Sequence, residues 1–291
     1  MTPRSFLFVP GDSVRKMEKA AASAAHALVL DLEDAVAAEH LDGARKLVRD
    51  HLLSHRDRSK QQVWVRINPI DSGKALADLA AIVVGAPDGV LLPKCLGGAD
   101  IARLDHYLTA LEHREGVQVG SIRIISVATE TAGAMFELGS YRGASERLFG
   151  LTWGAEDLST AVGASTNKAD DGSYGFTYQL ARSLCLLGAK AAGVQAIDTI
   201  FANFRDPQAI EAEVRRARQD GFNSKFAIHP DQVAVINAGF IPSEKEVAHA
   251  RAVVAAFRDA GGGAAQVNGM MVDKPHLTQA LQILEAAGIG A

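Results

Sequence analysis

Short apolar runs alternate along this chain with stretches whose apolar residues recur at helical spacing. The runs are Ser5–Val9, Ala27–Leu32, Val63–Ile67, Gly89–Leu92, Ile122–Thr129, Leu148–Trp153, Gln195–Ile200 and Ser224–Ile228. They are short, rich in β-branched, leucine and aromatic residues, and end near Pro, Gly or charged positions, which predicts strands. Helices are predicted between them at Val14–Ala25, capped by Asp12 or Ser13, and at Glu39–Leu53, Lys74–Val84, Ala99–Glu112, Phe176–Ala192 and Pro207–Asp220. Near-continuous apolar strands are those covered on both faces, so the sheet should be parallel. Eight such strand–helix units in roughly 235 residues match an α/β fold of the (β/α)8 TIM barrel type. A doubly wound sheet is the rival, but no GxGxxG follows the first strand.

The expected division is a barrel catalytic domain over residues 1–238 and a C-terminal helical extension over 239–291. The extension reads as helices Ser243–Phe257 and His276–Ala287, joined by a Gly-rich linker, Gly261–Gly269, whose Gly261–Gly263 is the one low-complexity tract. It is too small to be an independent domain, so it should pack on its own or a neighbouring barrel.

Composition narrows the class. With 30 basic and 34 acidic residues the net charge is −4, and no basic field points to nucleic acid. Cys95 and Cys185 have no ligand or redox spacing, which suits a reducing, cytoplasmic compartment. The apolar run near the N-terminus is too short for a signal peptide, and no run of about 20 apolar residues predicts a membrane span.

The chemistry should sit at the C-terminal strand ends, which face one mouth in a barrel. The tips read Asp31, Glu33 and Asp34; Arg66 and Asn68; Lys94; Glu130; Glu156 and Asp157; Asp198; and His229. So many ionisable groups would repel or pair, and a divalent cation is a natural counter-charge. The donors are oxygens, without cysteine or paired His, which favours Mg2+ over Zn2+. Glu130 and Asp157 are the expected metal ligands, leaving other positions for water and a substrate carboxylate with its neighbouring hydroxyl or carbonyl. Plainer readings stand beside these: Asp157 or His229 could cap a helix, Lys94 could be solvated, Trp153 could be packing, and Asp31, Glu33 and Asp34 could pair with cations.

Seven motifs in order carry a resemblance: RSFLFVPG (Arg4–Gly11), LDLEDAV (Leu30–Val36), VRIN (Val65–Asn68), LLPK (Leu91–Lys94), Glu130-Thr131, WGAEDL (Trp153–Leu158) and IHPDQ (Ile228–Gln232). The chain resembles the citrate lyase beta subunit-like proteins of the HpcH/HpaI aldolase group, with malyl-CoA and citramalyl-CoA lyases. The resemblance implies a (β/α)8 barrel, Mg2+, and reversible carbon–carbon cleavage of a 3-hydroxyacyl thioester. It implies Glu130 and Asp157 as metal ligands that also meet substrate, and Arg66 as a catalytic, substrate-contacting arginine. Arg15 and Lys19 fall where the family has basic residues near the CoA carrier. MVDKPHL (Met271–Leu277) resembles the segment in which related lyases place a catalytic Asp, here Asp273, that reaches a neighbouring subunit's site. A homo-oligomer, trimer or hexamer, is the matching expectation. Gly133 comes earlier after Glu130-Thr131 than in the family's more usual form, which bears on substrate subtype. Substrates of malyl-CoA, citramalyl-CoA and citryl-CoA type stay open. So do condensation with thioester hydrolysis, an aldolase of free hydroxy-acids, and an acyl-carrier-dependent subunit.

Overall fold

The computed structural model describes residues 2–260 and 264–289. Eight parallel strands close into a barrel in sequence order: β1 (Ser5–Pro10), β2 (Ala27–Asp31), β3 (Gln62–Arg66), β4 (Gly89–Leu92), β5 (Arg123–Val127), β6 (Leu148–Thr152), β7 (Gln195–Asp198) and β8 (Ser224–Ala227). Closure is made by β8 on β1, with Ser5 opposite Lys225 and Leu7 opposite Ala227. All five residues of β2 are buried, because its alternating side chains face the interior on one side and the helices on the other. The interior is filled by Phe6, Ala27, Val29, Trp64, Ile125 and Phe226 among others, so the barrel is a packed core rather than a pore. Truncating one such aromatic should cost roughly 3–5 kcal/mol.

The helices are α1 (Val14–Ala21), α2 (Leu41–Ser54), α3 (Ala75–Ile82), α4 (Gly98–Glu115), α5 (Ala155–Ala161), α6 (Phe176–Ala192), α7 (Pro207–Asp220), α8 (Pro230–Gly239), α9 (Glu244–Asp259) and α10 (Lys274–Ala286). Ser13, rather than Asp12, caps α1 by accepting from the Lys16 N–H. That helix stops at Ala21 instead of Ala25, because the Ser23 hydroxyl donates to the Ala20 carbonyl and accepts from the Ala25 N–H. None of the described helices is long and apolar enough to cross a membrane.

The chain divides into two compact units, Met1–Asn237 and Ala238–Ala291. The second has a core of its own around Val253, Phe257, Val267, Val272 and Leu284. The predicted linker needs correction there. Gly261–Gly263 lies outside the described residues, but the rest of the predicted linker forms part of a hairpin of β9 (Ala265–Val267) and β10 (Met270–Val272). Its two-residue turn is Asn268-Gly269, with φ of 52° and 80°, and Asn-Gly is the pair that tolerates two consecutive positive φ values.

Candidate active site

All eight strands, or the residues directly after them, contribute to a cavity of about 450 Å³ at the C-terminal mouth, whose lining includes Asp31, Arg66, Glu130, Trp153 and Asp157. Arg66 ends β3 directly opposite Asp31 at the end of β2. Its Nε and Nη2 donate to the two Asp31 carboxylate oxygens at 2.7 and 2.5 Å. Asp31 is held for this by the backbone N–H groups of Glu33 and Ala35, which donate to its oxygens. The remaining nitrogen, Nη1, lies 2.9 Å from Glu33 Oε2 and 3.5 Å from Asp34 Oδ2, and the guanidinium covers the Phe8 ring at 5.0 Å. Burial alone would lower the Arg66 pKa, but the bond to Asp31 and the charges of Asp31, Glu33 and Asp34 outweigh it and raise it. The guanidinium is therefore a fixed charge.

Glu130 follows β5 and is 5% exposed. Its Oε2 accepts the Lys94 backbone N–H at 2.5 Å. Burial pushes its carboxyl up to about 8; Asp157 and Glu33 push the same way, and the Lys94 N–H opposes them. Gly154 lets the β6 end approach this closely, since a Cβ there would lie 2.8 Å from Glu130 Cγ and 3.1 Å from Oε1. The Gly154 N–H also donates to Thr129 Oγ1, tying the β5 and β6 ends together. Gly154 is the N-cap of α5, so Asp157 sits in the first helical turn and is not the cap. Glu156, its neighbour in that turn, is exposed.

Lys94 links these groups. Its ammonium bonds Glu33 Oε1 and lies 3.4 Å from Asp157 Oδ1 and 3.8 Å from Asp34 Oδ1. Burial would lower the ammonium's pKa, but the bond to Glu33 and the charges of Glu33, Asp157 and Glu130 outweigh that and raise it. Burial raises the Glu33 carboxyl against the pull of Arg66 and Lys94. Its Oε2, although in ion-pair range of Arg66, makes no hydrogen bond. Asp31, Glu33, Asp34, Glu130 and Asp157 thus all contact one or both of Arg66 and Lys94 at this mouth. A buried oxygen met by an ion pair but by no hydrogen bond, a Glu pushed toward protonation and an all-oxygen donor set fit a hard divalent cation. Among the described residues no group of three or more His, Cys, Asp or Glu could hold a metal unaided. Two carboxylates completed by water and substrate are the usual Mg2+ arrangement.

Other tips turn away from the mouth. Asn68 donates to the Leu32 carbonyl and to Asp78. Asp198 is buried against Lys225 at 2.7 Å and Arg182 at 3.2 Å, and accepts the Trp153 indole N–H at 2.8 Å. His229 stacks on Phe204 and accepts the Asp231 N–H at the start of α8, a capping use. Arg15 and Lys19 are exposed one turn apart on α1. Asp273 lies in the second unit as the N-cap of α10, half exposed, with its Oδ1 2.5 Å from His276 Nδ1. A second, polar cavity of about 380 Å³ is lined by Glu156, Asp157, Ser165, Thr166 and Asn167, among others. Lys94 is the residue whose place the sequence shows least. A Pro-Lys pair ending an apolar run is visible there, but not that the lysine's side chain and N–H meet carboxylates from three other strand ends.

The sequence pattern of the HpcH/HpaI aldolase/citrate lyase family matches residues 4–230. The citrate lyase subunit beta of Haemophilus influenzae is 33% identical over 290 residues, which is 99% of this chain and 97% of that protein. A (3S)-malyl-CoA thioesterase of Cereibacter sphaeroides is 34% identical over 98% of this chain and 94% of its own length. The structure of CitE from Mycobacterium tuberculosis in complex with magnesium, acetoacetate and coenzyme A superposes with a TM-score of 0.82 at 33% identity, covering 98% of both chains.

Proposed function

This chain belongs to the HpcH/HpaI aldolase/citrate lyase family, and from that premise we propose that it is a Mg2+-dependent carbon–carbon lyase of a 3-hydroxyacyl-CoA thioester, of malyl-CoA, citramalyl-CoA or citryl-CoA type. The observation that carries this reading is one cavity shared by Glu130, Asp157 and Arg66. Glu130 and Asp157 would hold the metal. Bound there, Mg2+ supplies a Lewis acid for a substrate carboxylate and hydroxyl, making that hydroxyl easier to deprotonate.

The residues divide the remaining work. Breaking the carbon–carbon bond sends its electron pair into the thioester, whose enolate oxygen becomes negative. Arg66 is rigidly held by Asp31 and keeps N–H groups not engaged in hydrogen bonds, so it offers a preorganised donor for that oxygen. Asp273 would protonate the enolate carbon, or remove that proton in the condensing direction, in an assembly of several copies. Arg15 and Lys19 supply cations for the CoA phosphates. Loop 163–174 contributes Ser165, Thr166 and Asn167 to the polar cavity, which shares Glu156 and Asp157 with the mouth. This shared lining supports reading the loop as the part that senses the methyl or carboxymethyl group of a substrate.

A panel of the three thioesters, assayed with Mg2+ and with EDTA, tests the reading. Release of an oxo-acid and an acyl-CoA with Mg2+ alone is expected; cleavage insensitive to EDTA would overturn it. A second reading, thioester hydrolysis, is favoured by the thioesterase relatives. Free CoA appearing from malyl-CoA without an oxo-acid would select it.

A further inference from the structure

Lys94 meets four of the carboxylates at this mouth, Glu33, Asp34, Glu130 and Asp157, and two features show that its position is built. Its φ of 51° places a non-glycine residue in the left-handed region, a strained choice kept where the surroundings demand it. That conformation aims its N–H at Glu130 Oε2. Glycine would meet the backbone requirement without strain, so what the lysine adds is its side chain. The ammonium runs to Glu33, Asp34 and Asp157. The two proposed metal ligands therefore meet the two arms of one residue: Glu130 the backbone, Asp157 the side chain.

We propose that Lys94 is the positioning residue of the metal site and its resident counter-cation, orienting Glu130 through its N–H and competing with the divalent cation for Asp157 through its ammonium. This rests on the Mg2+ reading above. A unit charge 3.4 Å from a ligand oxygen repels a dication at that same oxygen, and in a half-buried site the repulsion is only partly screened. The ammonium therefore weakens metal binding while keeping the carboxylate group together without metal.

The test is calorimetric titration of the full chain with Mg2+ and no substrate, with Mn2+ paramagnetic resonance as a second probe. The proteins are the wild type, Lys94→Gly, Lys94→Gln, Lys94→Arg and Glu130→Gln. Lys94→Gly and Lys94→Gln should bind Mg2+ about tenfold more tightly than the wild type. Lys94→Arg should restore the weaker binding. Lys94→Gly should melt above Lys94→Gln, since glycine removes the left-handed strain. Affinities in both neutral variants equal to or weaker than the wild type overturn the competition. A wild type that binds no Mg2+, or binds it independently of Glu130, overturns the metal site itself, a result distinct from the first.

Discussion

Two arginines, Arg147 buried and Arg66 partly exposed, sit at opposite ends of the barrel and show how a saturated charge cluster differs from an open one. Arg147 precedes β6 on the N-terminal face. Its five N–H groups go to Asp105, both oxygens of Glu112, the Ile122 carbonyl and the Thr109 hydroxyl. Glu112 is closed off in turn by the N–H groups of Gly120 and Ile122. Arg66, on the C-terminal face, hydrogen-bonds through only two of its N–H groups, both to Asp31. Around it Glu33 Oε2 has the Arg66 ion pair at 2.9 Å but no hydrogen bond, and Glu130 is pushed toward protonation. The first cluster is finished without a ligand; the second is balanced only when one arrives. That difference, more than burial or charge, marks the mouth as the working end.

The largest expected effect is at Glu130. Glu130→Gln should lower Mg2+ affinity on the order of 100-fold or more, since even partners behind a metal ligand are worth 10–100-fold. Metal-dependent turnover should fall with it. The metal-free variant should melt no lower than the wild type near neutral pH, because the substitution removes the cost of protonating on folding a carboxyl that is ionised in the unfolded chain. Metal-dependent turnover at the wild-type rate would break the site assignment.

Next comes the paired change Arg66→Met and Arg147→Met. Losing Arg66 should cut turnover roughly 10²–10³-fold, the scale of one oxyanion donor, while Mg2+ binding stays the same or tightens. Losing Arg147 should cost about 3–5 kcal/mol in denaturant unfolding, as for one partner of a buried pair, with turnover per folded molecule unchanged. Swapped phenotypes would mean that the two ends had been assigned backwards.

The eight strands are readable in the sequence because parallel strands buried on both faces are written as apolar runs with polar ends. The bounds of α6 and α7 match the sequence reading at Phe176–Ala192 and Pro207–Asp220, where Gly193, Pro207 and Gly221 punctuate the chain. Residues at the strand tips are harder. Being at a tip does not say which side the pleat presents: Asp198 is spent on Lys225 and Arg182, and Asn68 on Asp78. Lys94 is underread for the opposite reason, since its left-handed backbone and its reach to Asp157 exist only once four strand ends meet. The β9–β10 hairpin is written in Asn268-Gly269 but hidden by the neighbouring glycines.

The smallest effect, and the one that separates the two ends most finely, is their opposite response to pH. Burial raises the folded-state pKa of Glu130 from 4.5 to about 8. Its contribution to metal-free stability is therefore complete below the unfolded value and is lost as pH rises through about 8. At the other end, burial would raise Asp105, but bonds from Ser145, Arg147 and Thr109 outweigh it and hold the carboxyl below 3.8. Its contribution is present above that value and is lost as pH falls through the depressed one. Metal-free protein should thus weaken toward alkali from the mouth and toward acid from the base. Arg147→Met should remove part of the acid-side dependence alone, and Glu130→Gln part of the alkaline side alone. Because Mg2+ needs Glu130 ionised, its apparent affinity should fall about tenfold per pH unit below 8. Calorimetry at pH 7 in buffers of different ionisation enthalpy should show close to one proton released per metal bound in the wild type and none in Glu130→Gln. A dissociation constant flat from pH 6 to 9 would sink the argument that the mouth is left unbalanced for a cation.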